Sequence, residues 1–159
     1  MEQREKTPET TEGPYYKRGS PERFEIRHEG VRGDILSLSG TVFDRNGNAV
    51  AGAWLDFWQA DGEGRYDNEG YTLRGHQFSS ESGRYSLETV VPGSYPGRTP
   101  HIHVKVSPAD RASELTTQLF FPGLPSNQSD PIFRSVLLID ISTTPSGKSG
   151  TFDFVVDTE

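Results

Sequence analysis

Pro100-His101-Ile102-His103-Val104-Lys105-Val106-Ser107 is the stretch on which the fold reading turns. Its apolar positions recur every second residue, the pattern of a strand that buries one face. Ile102 and Val104 then point to one side, while His101 and His103 project together from the other. Two imidazoles side by side on one face can share a metal ion. The same pair on an edge strand can equally be two surface histidines, and an H-x-H alone does not decide.

Outward from this strand the chain keeps the same rhythm. Upstream, Arg84–Val91 opens at Gly83 and closes at Pro92-Gly93, and Ala53–Gln59 runs into Asp61-Gly62-Glu63-Gly64. Ser37–Phe43 ends at Asp44-Arg45-Asn46-Gly47-Asn48, whose Asn-Gly step supplies the positive φ of a tight turn. Tyr71–Phe78 carries a weaker strand pattern. Downstream, Leu115–Phe121, Ser135–Ile141 and Gly150–Val156 complete the set, with single helical turns expected at 109–113 and 130–134. Short strands between Gly, Pro and Asn turns predict an all-β fold, an antiparallel β-sandwich with long irregular loops. Residues 1–12 read as a flexible tail, 13–159 as one domain, and 17–34 within it as a polar, irregular arm.

Composition narrows the function. The 159 residues are 31% hydrophobic and 11% aromatic, too rich in rings for a disordered chain, and 17 glycines with 11 prolines favour turns over helices. A net charge of −7 without a basic stripe argues against nucleic acid as partner. No apolar run approaches the roughly 20 residues that span a bilayer, and residues 1–12 lack the apolar core of a signal peptide, so a cytoplasmic protein is expected. There is no cysteine, so any metal must be held by nitrogen and oxygen.

Two histidines do not complete a metal site. A carboxylate is one option for the next ligand, and Asp56, Asp61, Asp67 and Asp110 qualify by type but not by spacing. Tyrosines are the other: Tyr66 in Gly64-Arg65-Tyr66-Asp67, and Tyr95 in Ser94-Tyr95-Pro96-Gly97-Arg98, just before the H-x-H strand. Each could be a packing aromatic. As a set they are hard anionic donors that a trivalent metal would hold as phenolates. Arg98 would place a positive charge beside His101, or lie exposed in its loop; Gln118 is a polar strand residue. His28 reads as exposed in the arm and His76 as an ordinary hydrogen-bonded residue.

Five segments in order resemble the intradiol ring-cleavage dioxygenases. Thr11-Glu12-Gly13-Pro14-Tyr15-Tyr16 resembles that family's T-x-G-P-(Y/F)-Y, and Trp58-Gln59-Ala60 followed by Gly64-Arg65-Tyr66 resembles its W-Q-A…G-x-Y. Leu73-Arg74-Gly75 with Gly83-Arg84-Tyr85 resembles F-x-R-G…G-x-(Y/F). Arg98-Thr99-Pro100-His101-Ile102-His103 resembles R-P-A-H-I-H, and Thr117-Gln118-Leu119-Phe120-Phe121 resembles T-Q-L-Y-F. The resemblance implies a β-sandwich with non-haem Fe(III) on Tyr66, Tyr95, His101 and His103. It implies a catechol-type substrate, opened with O2 between its two hydroxylated carbons to a muconate-type diacid. Tyr95 would give way to the substrate and take its proton, Arg98 would stabilise developing negative charge, and Gln118 would stand beside the reacting ring. Trp58, Gly13 and Pro14 match positions that line the substrate pocket.

The sequence departs from better-known members of the family between Tyr95 and Arg98. Only Pro96 and Gly97 intervene, where those members carry a longer, aromatic loop, so a shallow pocket tolerant of substituted catechols is expected. Residues 17–34 are too short and polar to stand for the helical N-terminal domain of catechol dioxygenases, although the arm at 13–34 could cross to a neighbour in a homo-oligomer. Two other readings stay open. A transthyretin-like binding module without catalysis would account for residues 38–59, and a Zn or Mn enzyme would use the two histidines with a carboxylate.

Overall fold

The computed structural model describes residues 3–158. Two sheets face each other. The first has strand order β3(Arg74–Phe78), β2(Trp54–Gln59), β5(His101–Ser107), β6(Leu115–Phe120), all antiparallel. The second runs β4(Arg84–Val90), β1(Ile35–Asp44), β8(Gly147–Thr151), β7(Asp140–Thr144), with β9(Phe154–Val156) also on β1. Between them lies the core: Leu36, Leu38 and Leu87 from one sheet meet Leu55, Phe57, Ile102, Val104 and Val106 from the other. The all-β sandwich expected from the alternation is present. Among the described residues no helix is long and apolar enough to cross a membrane.

The second sheet is mixed rather than wholly antiparallel, because β8 and β9 both pair parallel to β1. Turn residues report pairing between strands adjacent in sequence, and these partners lie more than a hundred residues apart. The strand expected over 150–156 breaks at Phe152-Asp153, between β8 and β9. There the Phe152 carbonyl passes over Gly40 so closely that an added Cβ would lie 1.8 Å from its oxygen, and the Asp153 carboxylate accepts the Thr41 amide at 2.9 Å.

Other boundaries shift for local reasons. The strand expected from Tyr71 starts only at Arg74, after Leu73 takes a φ of +57°. The run expected as a strand over 135–141 opens as a 3₁₀ turn, Ser135–Leu137, and joins the second sheet only at Asp140. Its alternation records packing, with a single bridge from Leu138 to Phe120 of β6: Leu137 and Ile139 are buried while Val136 is 58% exposed. Residues 109–113 and 130–134 make no helical turn; the other 3₁₀ turn is Pro125–Ser129.

The N-terminal segment folds back along β1 and β9 of the second sheet and then over the first. Within the expected tail, the Arg4, Thr7 and Thr10 amides donate to Arg45, Val155 and Thr116, and Thr7 is buried. The arm beyond it bridges Glu22 to His76 of β3 and Glu25 to Glu88 of β4 of its own sandwich. This cover explains why β5, which alternation predicts to be buried on one face, is buried at all seven residues.

Candidate functional site

Strand register sets the site on the outer, arm-covered face of the first sheet. One row across it reads Arg74, Trp58, His103, Gln118, and the next reads His76, Asp56, Lys105, Thr116. His101 stands two residues before His103, opposite Phe120.

Two loops bring tyrosines over these histidines. Tyr95-Pro96-Gly97-Arg98 is a four-residue turn closed by the Arg98 amide donating to the Tyr95 carbonyl at 2.9 Å. Proline at its second position and Gly97 with φ +83° at its third make it type II. Its two end residues therefore stand side by side at the base of the turn. The loop of Tyr66 is tied at Asp61, whose carboxylate accepts the amides of Glu63 and Arg65. Gly64 presses it onto the Tyr95 loop: a Cβ there would come within 2.3 Å of the Ser94 carbonyl oxygen. Backbone contact at a glycine is what lets the two tyrosines meet.

The four side chains converge. Tyr66 Oη lies 2.9 Å from His103 Nε2, 3.4 Å from His101 Nε2 and 3.5 Å from Tyr95 Oη. Tyr95 Oη is 3.3 Å from His101 Nε2, and the two Nε2 atoms are 3.1 Å apart. Metal–ligand bonds of about 2.1 Å, meeting at right to tetrahedral angles, place neighbouring ligand atoms about 3.0–3.4 Å apart. Three of these five separations fall within that spacing, and the other two lie within 0.1 Å of it.

Electrostatics prepares the same four groups. Burial, and then the Arg98 charge, lowers His101 to about 4, and burial with His101 lowers His103 well below the usual histidine range. Both imidazoles are neutral, the form that binds a metal. His101 Nδ1 donates to the Thr99 carbonyl at 2.7 Å, which leaves Nε2 with its lone pair facing the cluster. Burial pushes the Tyr66 phenol up, so without a cation beside it the group stays protonated.

No carboxylate joins them. Among the described residues, no three His, Cys, Asp or Glu side chains converge on a metal-sized point, which removes the histidine–carboxylate Zn or Mn reading. Asp56 is the nearest in register, but Tyr16 Oη and Ser20 Oγ both donate to it at 2.8 Å and burial holds its carboxyl above the ordinary range. Asp61 and Asp67 accept amides of their own loops, and Asp110 accepts the Ala112 amide.

The remaining expected residues fall around the cluster. Arg98 Nη1 lies 3.4 Å from His101 Nε2, its Nη2 donates to Gln118 Oε1, and its Nε donates to Asp130 at 2.9 Å. Gln118, fully buried, also donates to the Thr11 carbonyl at 3.0 Å. Gly13, φ +74°, passes 3.6 Å (measured from where a Cβ would stand) from His103 Cε1. Pro14 lines an open recess with Tyr15, Tyr16, Lys17, Asn68 and Arg74. Trp58 is different from the pocket wall expected: it is 1% exposed, stacks on His103 at 4.7 Å between ring centres, and is covered by Tyr16. It backs the histidine and has almost no surface for a ligand. His28 is exposed, and His76 is bonded through Nδ1 to Ser20. A larger depression of 590 Å³ at the sheet edges, around Phe24, Phe78 and Arg84, contains none of these groups.

Sequence reasoning gave no job to three residues. Tyr15 stacks on Tyr66 at 4.3 Å and meets Tyr95 edge-on at 6.4 Å. Arg74, 2% exposed, spans the Tyr15 carbonyl and the Asp67 carbonyl, so one buried cation ties the arm to the Tyr66 loop. The third is Asp130. Tyr15 and Arg74 sit in family-like segments, but their spacing gives no hint of these contacts; nothing around Asp130 in sequence points to it.

A protein-family model described as a dioxygenase matches residues 11–157. The chain belongs to the intradiol ring-cleavage dioxygenases. It is 30% identical to catechol 1,2-dioxygenase of Acinetobacter baylyi over 84% of this chain and 53% of that protein. It is 29% identical to the protocatechuate 3,4-dioxygenase beta chain of Burkholderia cepacia over 77% of this chain and 63% of that one. The chain thus spans between half and two thirds of these intradiol relatives. A solved dioxygenase domain, from a dioxygenase–carbohydrate-binding protein fusion of the cellulolytic bacterium Streptomyces sp. SirexAA-E, superposes with a TM-score of 0.93 at 47% identity. That match covers 98% of this chain and 100% of the solved one.

Proposed function

We propose that this chain opens the ring of a catechol-type diol with O2, between the two hydroxylated carbons, to give a muconate-type diacid. Both oxygen atoms enter the product, so the reaction needs no external reductant. The observation that carries the reading is the convergence of Tyr66, Tyr95, His101 and His103, linked through five contacts of 2.9–3.5 Å. Two phenols and two neutral imidazoles form an oxygen–nitrogen set suited to a hard trivalent ion, and membership in the family supports reading that ion as non-haem Fe(III). When bound, ferric iron supplies Lewis acidity and neutralises the charge of an ionised diol.

The protein's own groups then have distinct tasks. Tyr66, stacked under Tyr15 and held by its tied loop, is the fixed phenol. Tyr95 sits on the exposed type II turn and is the phenol free to swing away and accept the substrate's proton. Arg98 keeps Nη1 toward the centre, where it stabilises negative charge growing on the ring. Gln118 holds that guanidinium from below, and Gly13 and Pro14 bring the arm over the site to keep water out. Gly97 faces open space, with no atom within 4 Å of a would-be Cβ, so the entrance beside Arg98 has room for ring substituents.

The test is the visible spectrum of iron-loaded protein, before and after anaerobic addition of catechol. A broad tyrosinate-to-iron band that shifts on addition is the expected result. A protein that stays colourless after ferric reconstitution would remove Tyr66 and Tyr95 as ligands and return the chain to the non-catalytic sandwich reading.

A further inference from the structure

Arg98 is held by a residue that lies 32 positions away in sequence. Asp130 ends the Pro125–Ser129 turn, its side chain wholly buried where that of Arg98 is 15% exposed. Its Oδ1 accepts the Ile132 amide at 2.8 Å, which anchors the carboxylate to its own loop. Its Oδ2 accepts two donors from consecutive residues, Arg98 Nε at 2.9 Å and the Thr99 amide at 2.8 Å.

Each of these bonds has a consequence on the far side. With Nε fixed on Asp130 and Nη2 on Gln118, the planar guanidinium can present only Nη1 to the cluster, where it stands 3.4 Å from His101 Nε2. With its amide turned to Asp130, Thr99 turns its carbonyl to His101 Nδ1 at 2.7 Å. The Thr99 hydroxyl is held by the same turn, bonded to Asn127 Oδ1 at 2.6 Å and Ser126 Oγ at 2.7 Å. Burial raises the Asp130 carboxyl, but the amides of Thr99 and Ile132, with Arg98, outweigh it and hold the carboxyl below its ordinary range. An unpaired buried carboxylate is costly, so the bonds that satisfy it also fix its direction.

We infer that Asp130 is a positioning residue that sets Arg98 and His101 as one unit: directly for the guanidinium, and through the Thr99 carbonyl for the imidazole tautomer. The inference rests on the ring-opening reading for its kinetic readout, and on this chain's own hydrogen bonds for the others. Asp130→Asn keeps the shape but removes the charge and one of the acceptors.

In iron-loaded enzyme, Asp130→Asn lowers kcat roughly 10- to 100-fold with KM changed less than about threefold. Placed on Arg98→Met, the same substitution lowers kcat by a clearly smaller factor, because one of its two routes is already gone. In metal-free protein, nitrogen NMR of the His101 ring finds one Nδ1–H tautomer in the wild type and a mixture in the variant, and the Thr99 amide exchanges faster. If Asp130→Asn does not fold, Asp130→Glu, which keeps the charge and displaces the oxygens by one methylene, carries the test with the same expected changes. A variant whose kcat stays within twofold, with a single tautomer and a protected Thr99 amide, overturns the inference. A wild type inactive toward every diol overturns the ring-opening reading, and the tautomer and exchange measurements then decide the role of Asp130 by themselves.

Discussion

The two faces of the β3–β2–β5–β6 sheet are equally dry and wholly unlike. On the inner face Leu55, Phe57, Ile102, Val104 and Val106 are all 0% exposed; on the outer face Trp58, His101, His103, Lys105 and Gln118 are at most 5% exposed. The inner side chains are held by contact without direction, so volume is what matters there. Most of the outer ones answer to a directed polar partner: Lys105 to Glu12 and Glu114, Gln118 to Arg98 and Thr11, His101 to Thr99, and His103 Nε2 to Tyr66, while Trp58 Nε1 and His103 Nδ1 have none among the described residues. Burying that many polar groups adds little stability, since each hydrogen bond mostly replaces one to water. The outer face is therefore where the fold spends its order on geometry for chemistry.

The sharpest way to separate the faces is a pair of single changes. Tyr66→Phe deletes one oxygen from the cluster and leaves the ring stacked on Tyr15. It should cost activity on the order of 10³-fold and abolish much of the visible band, while the urea midpoint barely moves. Phe57→Ala, on the inner face of β2, should cost about 3–5 kcal/mol of stability, with kcat per folded molecule within twofold. Denaturant titration and steady-state kinetics on both variants check this. A Tyr66→Phe enzyme of near-normal activity, or a Phe57→Ala enzyme crippled while fully folded, would break the division.

What the sequence discloses follows the same division. The inner face is legible because alternation in Pro100–Ser107 and Ala53–Gln59 is a direct print of burial. The outer face is legible only in part. His101 and His103 declare themselves by a spacing of two on one strand. Tyr66 and Tyr95 come from separate loops whose meeting depends on Gly64 lying flat against Ser94, a contact that no spacing encodes; their chemistry made them candidates, and likeness to the family chose them over the carboxylates. Arg74 reaches two backbone carbonyls, and Asp130 two backbone amides and a guanidinium 32 residues away, so nothing local to them in sequence marks their contacts. The mixed second sheet escaped for a related reason: β8 and β9 find β1 across the whole chain, and turn chemistry is silent about such partners.

A smaller effect is expected at the rim, where neither face governs. Gly97 is exposed at the top of the type II turn with open space around it. Its φ of +83° disfavours any side chain, at a cost of about 1–2 kcal/mol. Gly97→Trp should nevertheless fold and narrow the entrance, shifting the kcat/KM ratio between catechol and a bulky substituted catechol by about tenfold toward catechol. Wild-type enzyme already strict for unsubstituted catechol would show that the short turn does not set substrate breadth.

The smallest expected effect sharpens the comparison through pH. Asp67 follows Tyr66, and the amides of Gly70 and Thr72, then Glu69, hold its carboxyl well below the usual aspartate range. In the unfolded chain the group returns to about 3.9. Between the two values the unfolded chain binds a proton that the folded one does not, so stability falls as pH falls. The contribution is present in full above the ordinary aspartate value and drains away as pH drops toward the folded one. Asp67→Asn has no such proton to bind. The gap in urea midpoint between wild type and Asp67→Asn should therefore shrink from about pH 5 to about pH 2.5, whereas the gap for Phe57→Ala, which involves no ionisation, should stay constant. A gap for Asp67→Asn that is flat over the same range would mean that the carboxylate shapes the Tyr66 loop by hydrogen bonding alone, as an amide oxygen could, and that its charge adds nothing to the outer face.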